Sequence, residues 1–318
     1  MPVLRHCVII ATALALILAC ADASNKTSQR IIAIGDIHAD MGAAREAFQL
    51  AGGIDENGNW IGGDLVIVQL GDLIGRSYED REVLDFVLDV RTKAEADGGK
   101  VHVLVGNHEV FGARLELRWV ADKAFASFDG IAGLDLDNPR LANLPANQRA
   151  RSSALMPGGL YSQKMAGFPA VLRLGDVIFA HGGVTPHWAL YGIDKINEDV
   201  GRWFAGETDE PVSAKGMDPG NSDDNVMMSR HFSNGVGEDD CAMLEESLSI
   251  LGARRMIVAH TVQESITSYC DDKVWAIDVG MSRYYGGDVQ VLEIIDDDLI
   301  TVIRRNGPGD AVWLDDLE

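Results

Sequence analysis

The chain has 318 residues, of which 47% are apolar, and it carries a formal net charge of -22 at pH 7. This length and apolar content support one large domain or two modest ones with a sizeable core, and they argue against a disordered chain. The strong negative charge would repel a nucleic-acid backbone, so we expect no nucleic-acid partner.

The first 23 residues have the pattern of a secretory signal peptide. Arg5 precedes an apolar run over residues 7–19, and small residues then offer a cleavage site before Ser24. The run is too short to span a bilayer with ease, although an uncleaved anchor helix remains an alternative. The letters "ILAC" also resemble a lipobox, in which Cys20 would carry a lipid anchor. We therefore expect an exported protein, periplasmic or secreted after simple cleavage, with a membrane-anchored lipoprotein as the alternative.

Five short apolar segments, each bounded by turn residues, are predicted to be buried strands. They are residues 31–34, 65–70, 101–105, 177–180 and 256–259. Helical spacing of apolar residues predicts helices over residues 41–52 and 81–99, both of which end at glycine. The first three strands and these two helices form a βαβαβ unit, which implies a parallel sheet. Residues 274–280 and 289–304 are predicted strands joined by a turn, so the fold class is α/β with an additional antiparallel part.

The predicted elements belong to one domain over residues 30–305, into which two stretches are inserted. Residues 112–165 are mostly helical in pattern. Residues 206–240 are rich in Gly, Asp, Ser and Pro, which predicts a long surface loop. Residues 306–318 are predicted to be an acidic tail.

Two of the four cysteines lie outside the predicted signal peptide, at Cys241 and Cys270. In an oxidising compartment they could pair, and two free thiols are about equally consistent with the sequence. Neither lies in a C-x-x-C motif or beside a candidate base, so no thiol chemistry is predicted.

Polar residues of metal-binding type follow each of the five buried strands. In strand order they are Asp36 and His38, then Asp72, then Asn107 and His108, then His181, and finally His260. Ligands of open α/β sheets bind at the carboxyl ends of strands, so these side chains are predicted to form one site. One such residue is an ordinary turn residue more often than a ligand, whereas five strand ends together indicate a metal site.

The ligand types indicate which metals and which chemistry this site supports. Carboxylate, amide oxygen and imidazole without thiolate suit manganese, iron or zinc. Seven such residues are too many for one four-coordinate ion, but six of them fit two divalent ions that share a bridging carboxylate. Such a pair clamps the attacking and leaving oxygens of phosphoryl displacement and lowers the pKa of a bound water, so that hydroxide is available near neutral pH.

Two arginines could supply the positive charge that a phosphate group needs. Arg76 lies four residues after Asp72, and Arg230 lies in the predicted polar loop. The guanidinium fork matches phosphate oxygens in a bidentate way. For each arginine the alternative is a solvated surface cation.

The segments "GDIHAD", "GDLIGR", "GNHE", "HGGV" and "AHT" resemble, in order, spacing and type, the signatures of the calcineurin-like metallophosphoesterases, and more narrowly of the phosphoprotein phosphatases. "YGIDKINEDVGRWFAG", "RMIVAHTVQ" and "VWAIDVGMSRYYGG" resemble the Shewanella-like branch of that family. The resemblance implies a calcineurin-like metallophosphoesterase fold, a central β-sandwich flanked by helices (αββα). It also implies a dimetal hydrolase of phosphomonoesters, with phosphoproteins (Ser/Thr or Tyr) or small phosphomonoesters as substrates and direct attack of a metal-bound hydroxide on phosphorus. Plant relatives in this branch favour phosphotyrosine.

The resemblance further implies a role for each site residue. Six side chains would hold the two ions: Asp36 and His38 the first, Asp72 both, and Asn107, His181 and His260 the second. Three would hold the phosphate: Arg76, Arg230 and Asn107. His108 would protonate the leaving alcohol oxygen.

Two positions depart from the family pattern. Ala39 stands where the family has glycine, which is tolerable if the backbone there is not left-handed. Gly75 stands where the family has the aspartate that orients the catalytic histidine. We therefore expect an active enzyme with a weakened acid step, a preference for phenolate leaving groups, and a gain from Gly75→Asp that is larger on alkyl than on aryl phosphates. Glu79 or Asp80 could replace the missing carboxylate.

Two alternative functions remain open. One is hydrolysis of a nucleotide polyphosphate by the same site, and the other is a non-catalytic relative that retains its metals without turnover. Cleavage of a phosphotyrosine peptide in preference to a dinucleoside polyphosphate would argue against the first alternative. Metal-dependent hydrolysis of an aryl phosphate would exclude the second alternative. No oligomeric state is predicted.

Overall fold

A computed structural model describes residues 30–215, 224–305 and 307–312. The predicted signal peptide and the lipobox cysteine Cys20 lie outside the described residues. Within those ranges, none of the helices combines the length and the apolar character that a membrane span requires.

The described residues contain eleven strands and eight α-helices. In chain order the strands are β1 (Arg30–Ile34), β2 (Val66–Gln69), β3 (Lys100–Val103), β4 (Val171–Leu174), β5 (Val177–Ala180), β6 (Arg255–Val258), β7 (Thr267–Tyr269), β8 (Val274–Ala276), β9 (Gln290–Ile295), β10 (Leu299–Arg304) and β11 (Gly307–Val312). The helices are α1 (Met41–Leu50), α2 (Asp80–Ala96), α3 (Asn107–Arg114), α4 (Ala146–Leu155), α5 (Leu160–Met165), α6 (Pro186–Tyr191), α7 (Ile193–Phe204) and α8 (Glu238–Leu251). Two 3-10 helices, Asp122–Phe128 and Pro139–Leu141, precede α4.

Six strands form the first sheet, in the order β11-β10-β9-β1-β2-β3. β1, β2 and β3 are parallel and are joined through α1 and α2, which confirms the predicted βαβαβ unit. β9 and β10 continue the sheet as an antiparallel part, as expected of the fold class. The predicted pair of strands joined by a turn is wrong, because residues 274–276 form β8 of the second sheet and residues 289–304 contain two strands. β11 pairs with β10, so the prediction of an acidic tail from residue 306 is wrong for Gly307–Val312. The rest of that segment lies outside the described residues.

Five strands form the second sheet, in the order β4-β5-β6-β8-β7. β5, β6 and β8 are parallel, and β4 and β7 are antiparallel strands at the two edges. These edge strands were not predictable from the sequence, because a partly exposed strand lacks the continuous apolar run of a buried one. One hydrophobic core includes buried side chains of both sheets and of the flanking helices. The predicted α/β sandwich with flanking helices is therefore confirmed.

A buried ion pair ties the helical insertion to the first sheet. Nε of Arg151, on α4, lies 2.5 Å from Oδ2 of Asp80 at the start of α2, and the two side chains are 2% and 0% exposed. Oδ1 of Asp80 accepts a hydrogen bond of 2.7 Å from the N–H of Gly75. The insertion therefore braces the loop that follows β2, which carries two of the predicted site residues.

The predicted polar loop over residues 206–240 is not purely a surface segment. Val226 and Phe232 are fully buried. The carbonyl of Val226 accepts a hydrogen bond of 2.8 Å from the N–H of Gly182, just after β5. The described second part of this segment therefore packs against the end of β5 and places Arg230 beside the strand ends.

Candidate active site

Side chains from the carboxyl ends of five strands meet in one region. β1, β2 and β3 belong to the first sheet and β5 and β6 to the second, and contacts between their end residues join the two sheets. The side chains brought together are Asp36, His38, Asp72, Asn107, His108, His181 and His260. All except the half-buried His260 expose 4% or less of their surface. The sequence-predicted cluster therefore exists as a buried constellation.

Asp72 lies between two groups of candidate metal ligands. In the first group its Oδ2 lies 3.7 Å from Nε2 of His38 and 4.0 Å from Nε2 of His108. In the second group the same oxygen lies 3.5 Å from Nε2 of His181, and His260 completes the group. A carboxylate shared by two ligand groups is what a pair of neighbouring ions requires as a bridge.

Asp36 lies beside the first group. Its Oδ2 is 3.6 Å from Nε2 of His38. The grouping differs from the predicted one, because His108 rather than Asp36 lies with His38 and Asp72 in a cluster of ligand atoms within 4.8 Å. Burial, followed by the nearby negative charges of Asp278 and Asp72, raises the pKa of Asp36 well above its usual value. Several buried carboxylates so close together need a compensating cation if all are to ionise.

Besides Asp72, three potential metal-donor atoms lie at the second group. Nδ1 of His181 lies 2.8 Å from the carbonyl of Leu70. A carbonyl can only accept, so Nδ1 carries the proton and Nε2 is free to act as a ligand. That Nε2 lies 2.9 Å from Oδ1 of Asn107. Nε2 of His260 is buried and has no hydrogen-bond partner among the described residues. An amide oxygen and two imidazole nitrogens of this kind form a suitable set of metal donors.

Glu109 organises the loop that carries Asp72, a role that the sequence analysis missed. Its Oε2 accepts hydrogen bonds of 2.8 Å from the N–H groups of Gly106 and Asp72. Its Oε1 accepts bonds of 2.9 Å and 3.3 Å from Leu73 and Ile74. Burial, followed by the charge of Asp72, raises the pKa of Glu109 to about 7. The available signal was an acidic residue three positions after Gly106 at a helix start, which is the spacing of a capping box.

The predicted general acid, His108, lies against Gly75. The backbone of Gly75 is left-handed, with φ of 80°, and the imidazole of His108 fills the space into which a side chain there would extend. No carboxylate lies within hydrogen-bonding distance of Nδ1 of His108 in the described part of the chain. The hypothesis that Gly75→Asp would restore an orienting carboxylate therefore conflicts with the packing.

Neither suggested substitute for that carboxylate contacts His108. Asp80 bonds to Gly75 and to Arg151, as described above. Oε2 of Glu79 accepts a hydrogen bond of 2.7 Å from Arg283. Both suggestions were therefore wrong, because each carboxylate is engaged in tying distant segments together.

Left-handed backbone conformations are concentrated in the site. The φ angle is 51° at His38, 54° at Ala39, 53° at Asp72, 66° at Arg76 and 67° at His260. Such a conformation costs a non-glycine residue about 1–2 kcal/mol. The condition under which Ala39 would be harmless is therefore not met. Strain of this kind persists where the surrounding structure enforces it, as at functional sites.

A cavity of about 240 Å³ opens above the ligands. Its lining includes both arginines predicted to hold phosphate, Arg76 and Arg230. Nη1 of Arg230 donates a hydrogen bond of 2.8 Å to Oγ1 of Thr261. Neither arginine forms an ion pair with a carboxylate within the described ranges, so their charges are available to an anion in the cavity.

Aromatic side chains surround Arg76, and the sequence analysis did not identify them. Its guanidinium carbon lies 4.3 Å from the ring centroid of Trp119 and 5.3 Å from that of Tyr284. Phe111 and Tyr285 also line the cavity. Trp119 comes from the helical insertion, whose path over the site depends on long-range packing that local sequence patterns do not encode.

A larger cavity, of about 480 Å³, lies elsewhere, at the C-terminal end of α3. Its lining includes Arg114, Trp203 and Glu210 and none of the predicted ligands. Cavity size therefore does not locate the site, whereas the convergence of metal donors does.

The chain is similar to known proteins over most of its length. The model of the calcineurin-like phosphoesterase family matches residues 29–264. The chain is 34% identical over 311 residues to Shewanella-like protein phosphatase 2 of Arabidopsis thaliana, covering 87% of this chain and 78% of that protein. It is 28% identical over 286 residues to Shewanella-like protein phosphatase 1 of Plasmodium berghei, covering 88% of this chain and 75% of the relative. Among solved structures, the cold-active protein-tyrosine phosphatase of a psychrophilic Shewanella species has a similar fold, with a TM-score of 0.69 and 21% identity over 90% of this chain and 80% of the other.

Proposed function

Because the chain belongs to the calcineurin-like phosphoesterase family, and is accordingly a metal-dependent hydrolase of phosphoric esters, we propose that it removes phosphate from phosphoproteins and prefers phosphotyrosine. The observation that carries this proposal is the pair of ligand groups sharing Asp72 beneath a cavity lined by two arginines and several aromatic rings. The metal pair follows from the family and the ligand groups.

The donors present fit two divalent ions. His260 has a buried Nε2 without a hydrogen-bond partner among the described residues, which a metal ion would satisfy. Asp36, Asp72 and Asp278 are buried carboxyl groups close enough to raise the pKa of Asp36, and added positive charge would relieve their repulsion. Mixed oxygen and nitrogen donors support manganese, iron or zinc as the metals.

We assign the following roles to the chain's own residues. Asp72 would hold both ions, Asp36 and His38 would hold the first, and Asn107, His181 and His260 would hold the second. Once bound, the ions would lower the pKa of a water molecule and offset the phosphate charge. Arg76 and Arg230 orient the phosphate with charged hydrogen bonds, and Asn107 assists them through its side-chain amide.

His108 is the proposed general acid, and its surroundings favour a substrate with a good leaving group. It lies at the cavity, but no carboxylate fixes its Nδ1 in the described part of the chain. An imidazole that is less firmly oriented transfers its proton less effectively. A phenolate needs less help from a proton than an alkoxide does, so tyrosine esters would suffer less from this defect than serine esters.

The cavity walls support the same preference. Phe111, Trp119 and Tyr285 line the space above the ligands. An aromatic substrate ring entering this space would pack against other rings in offset or edge-to-face arrangements. The short side chain of phosphoserine would leave these surfaces uncovered.

The test is hydrolysis of matched phosphotyrosine and phosphoserine peptides by purified protein supplied with manganese, iron or zinc. We expect metal-dependent turnover, faster on phosphotyrosine, that a chelator abolishes. Asp72→Asn should lower both the bound metal and kcat/KM on p-nitrophenyl phosphate, the latter by at least about 100-fold, because the loss of a ligand exceeds that of a supporting residue. The matched control is Asp89→Asn, which removes only an exposed ion pair with Lys93 on α2. Faster cleavage of phosphoserine or of a dinucleoside polyphosphate would contradict the proposed substrate.

We also propose that the protein is exported, to the periplasm or the exterior. The N-terminal pattern described above supports this, and so does the disulfide between Cys241 and Cys270, since disulfides persist in oxidising compartments. Mass spectrometry of the mature N-terminus should find Ser24 as the first residue. A lipidated N-terminal Cys20 would instead identify the membrane-anchored alternative.

A further inference from the structure

A tight turn over residues 280–287 contributes Tyr285 to the lining of the cavity. The N–H of Gly287 donates a hydrogen bond of 2.8 Å to the carbonyl of Gly280, which closes the turn. Gly280 has φ of 62°, and a β-carbon on it would lie 2.8 Å from Cβ of Tyr285. The backbone of the turn therefore packs closely on Tyr285 and determines where that side chain lies.

Of the two tyrosines of this turn, Tyr285 lines the cavity and the more exposed Tyr284 lies beside Arg76. The ring of Tyr285 lies 5.4 Å from the imidazole of His38, centroid to centroid. The guanidinium of Arg76 lies 5.3 Å from the ring of Tyr284 and 5.8 Å from that of Tyr285. The position of the turn thus determines what surrounds the arginine proposed to hold phosphate.

Arg283, in the same turn, is anchored to the loop that follows β1. Its backbone N–H and its Nε donate hydrogen bonds of 2.7 Å and 2.8 Å to Oδ2 of Asp40, and its Nη2 donates one of 2.7 Å to Oδ1. Nη2 also donates to Glu79 at 2.7 Å, and Nη1 contacts the hydroxyl of Tyr78. Asp40 accepts as well from the N–H groups of Gly42 and Ala43 at the start of α1. Asp40 and Arg283 are therefore each held by further hydrogen bonds besides those that join them.

We propose that Arg283 is a positioning residue for the phosphatase reaction. By binding Asp40 and Glu79 it holds the turn so that Tyr284 and Tyr285 stay over the site. This inference rests on the proposed function, because what is positioned is the aromatic part of the substrate cavity.

The geometry distinguishes this contact from an ordinary surface ion pair. Exposed pairs contribute little to stability because water screens them and their side chains are free to move. Here the Asp40 side chain is only 6% exposed, and it accepts hydrogen bonds from both the guanidinium group and the backbone N–H of Arg283. A bidentate contact of this kind fixes an orientation as well as a distance.

The consequence concerns substrate binding more than the chemical step. Arg283 contacts none of the proposed metal ligands, nor the proposed acid, within the described residues. Loss of the anchor should therefore loosen the wall against which a substrate ring packs and leave the metal donors in place. The KM for an aryl phosphate should rise, with a smaller change in kcat.

The test compares Arg283→Met, which keeps most of the side-chain bulk without charge, with Arg283→Lys, which keeps the charge without the fork. We expect Arg283→Met to raise the KM for p-nitrophenyl phosphate about 10-fold, because a misplaced substrate-positioning wall impairs the bound geometry. Arg283→Lys should give an intermediate value. The matched control is Arg91→Met on α2, which removes a more exposed arginine–carboxylate pair and should leave KM unchanged.

A double-mutant cycle distinguishes positioning from general stabilisation. If Arg283 acts through the tyrosines, Arg283→Met should raise KM much less in a background that also carries Tyr284→Ala and Tyr285→Ala. The same rise in both backgrounds, or a lower Tm with an unchanged KM, would overturn the proposal.

Binding of phenylphosphonate, measured by calorimetry on the metal-loaded protein, separates this proposal from the proposed function. If the wild-type protein hydrolyses no phosphomonoester, the proposed function fails. The positioning role is then judged by affinity alone. Arg283→Met should weaken binding of the phosphonate about 10-fold, and equal affinities for the two proteins would overturn it.

Discussion

A β-carbon at Gly75 would lie 2.1 Å from Nδ1 of His108, far inside the contact distance of the two atoms. The imidazole therefore occupies the place of the missing side chain, and the glycine at position 75 and the position of His108 depend on each other. The same residue has φ of 80°, which a side chain would also strain.

The first prediction is that Gly75→Asp lowers turnover on both alkyl and aryl phosphates, in contrast to the gain that the sequence alone led us to expect. The new side chain must displace the proposed acid from the cavity. Steady-state kinetics on a phenyl and an ethyl phosphomonoester will check this. Gly130→Asp is the matched control, because Gly130 has φ of 75° and no neighbour within 4 Å of a β-carbon. A selective gain on the alkyl ester would show that the imidazole can move aside and use the carboxylate.

The second prediction concerns Glu109→Gln. An amide can accept hydrogen bonds only through its oxygen, so two of the four loop N–H groups that Glu109 binds would face an NH2 group instead. We expect a loss of about 2 kcal/mol in the free energy of unfolding, the usual penalty for buried unpaired donors. We also expect a 10- to 100-fold weaker affinity for metal, roughly the effect of losing a supporting residue. Urea denaturation and metal titration measure the two quantities, with the exposed Glu95→Gln as control. Unchanged metal affinity would mean that the Asp72 loop holds its shape without Glu109.

The site was predictable from sequence where its residues follow buried strands directly. Each apolar run marks a strand, and the carboxyl ends of neighbouring parallel strands must lie near one another, so Asp36, Asp72 and Asn107 could be placed together without coordinates. His181 follows a strand of the other sheet, so its approach to Asp72 depends on how the two sheets dock. Contacts made by irregular segments were not predictable. The pairing of Asp80 with Arg151 spans 71 positions along the chain and depends on how the insertion folds back. The engagement of Glu79 with Arg283, and the rings around Arg76, are of the same kind.

The third prediction concerns the disulfide between Cys241 and Cys270, which links α8 to the turn after β7 across 29 positions. Replacing both cysteines by alanine should lower the free energy of unfolding by about 3–4 kcal/mol, because the unfolded chain loses the constraint of a closed loop. Equilibrium denaturation with and without a reductant measures this. Reductant should destabilise the unaltered protein and leave the double variant unchanged. Equal stability of the oxidised and reduced protein would show that the folded state does not depend on the bond.

The fourth prediction concerns how the contribution of ionised Asp40 to stability changes with pH. Burial alone would raise its pKa, but hydrogen bonds from Arg283 and from the start of α1 lower the pKa to about 2. An unfolded aspartate titrates near pH 3.9, so the folded chain keeps this carboxylate ionised where the unfolded chain is protonated. Its contribution to stability is therefore present above about pH 4 and is lost as the pH falls toward about 2.

Asp40→Asn isolates this contribution, because asparagine still caps a helix. Near pH 5 the free energy of unfolding of the unaltered protein should exceed that of the variant by about 1–2 kcal/mol. This difference is modest because water screens the partly exposed Arg283. It should vanish near about pH 2. Denaturation curves at several pH values measure the difference. The control is Asp89→Asn, whose exposed ion pair should show little dependence on pH over this range. A difference that stays constant between these pH values would mean that Asp40 is not held ionised by Arg283.

The division of the proposed ligands between the two sheets has a consequence for how the protein gains activity as it folds. Four of them follow strands of the first sheet, whereas His181 and His260 follow strands of the second. Neither sheet alone carries a complete site, so a refolding chain should regain secondary structure before it regains catalysis. The delay between recovery of the circular dichroism signal and recovery of turnover would then measure how long the two sheets take to dock.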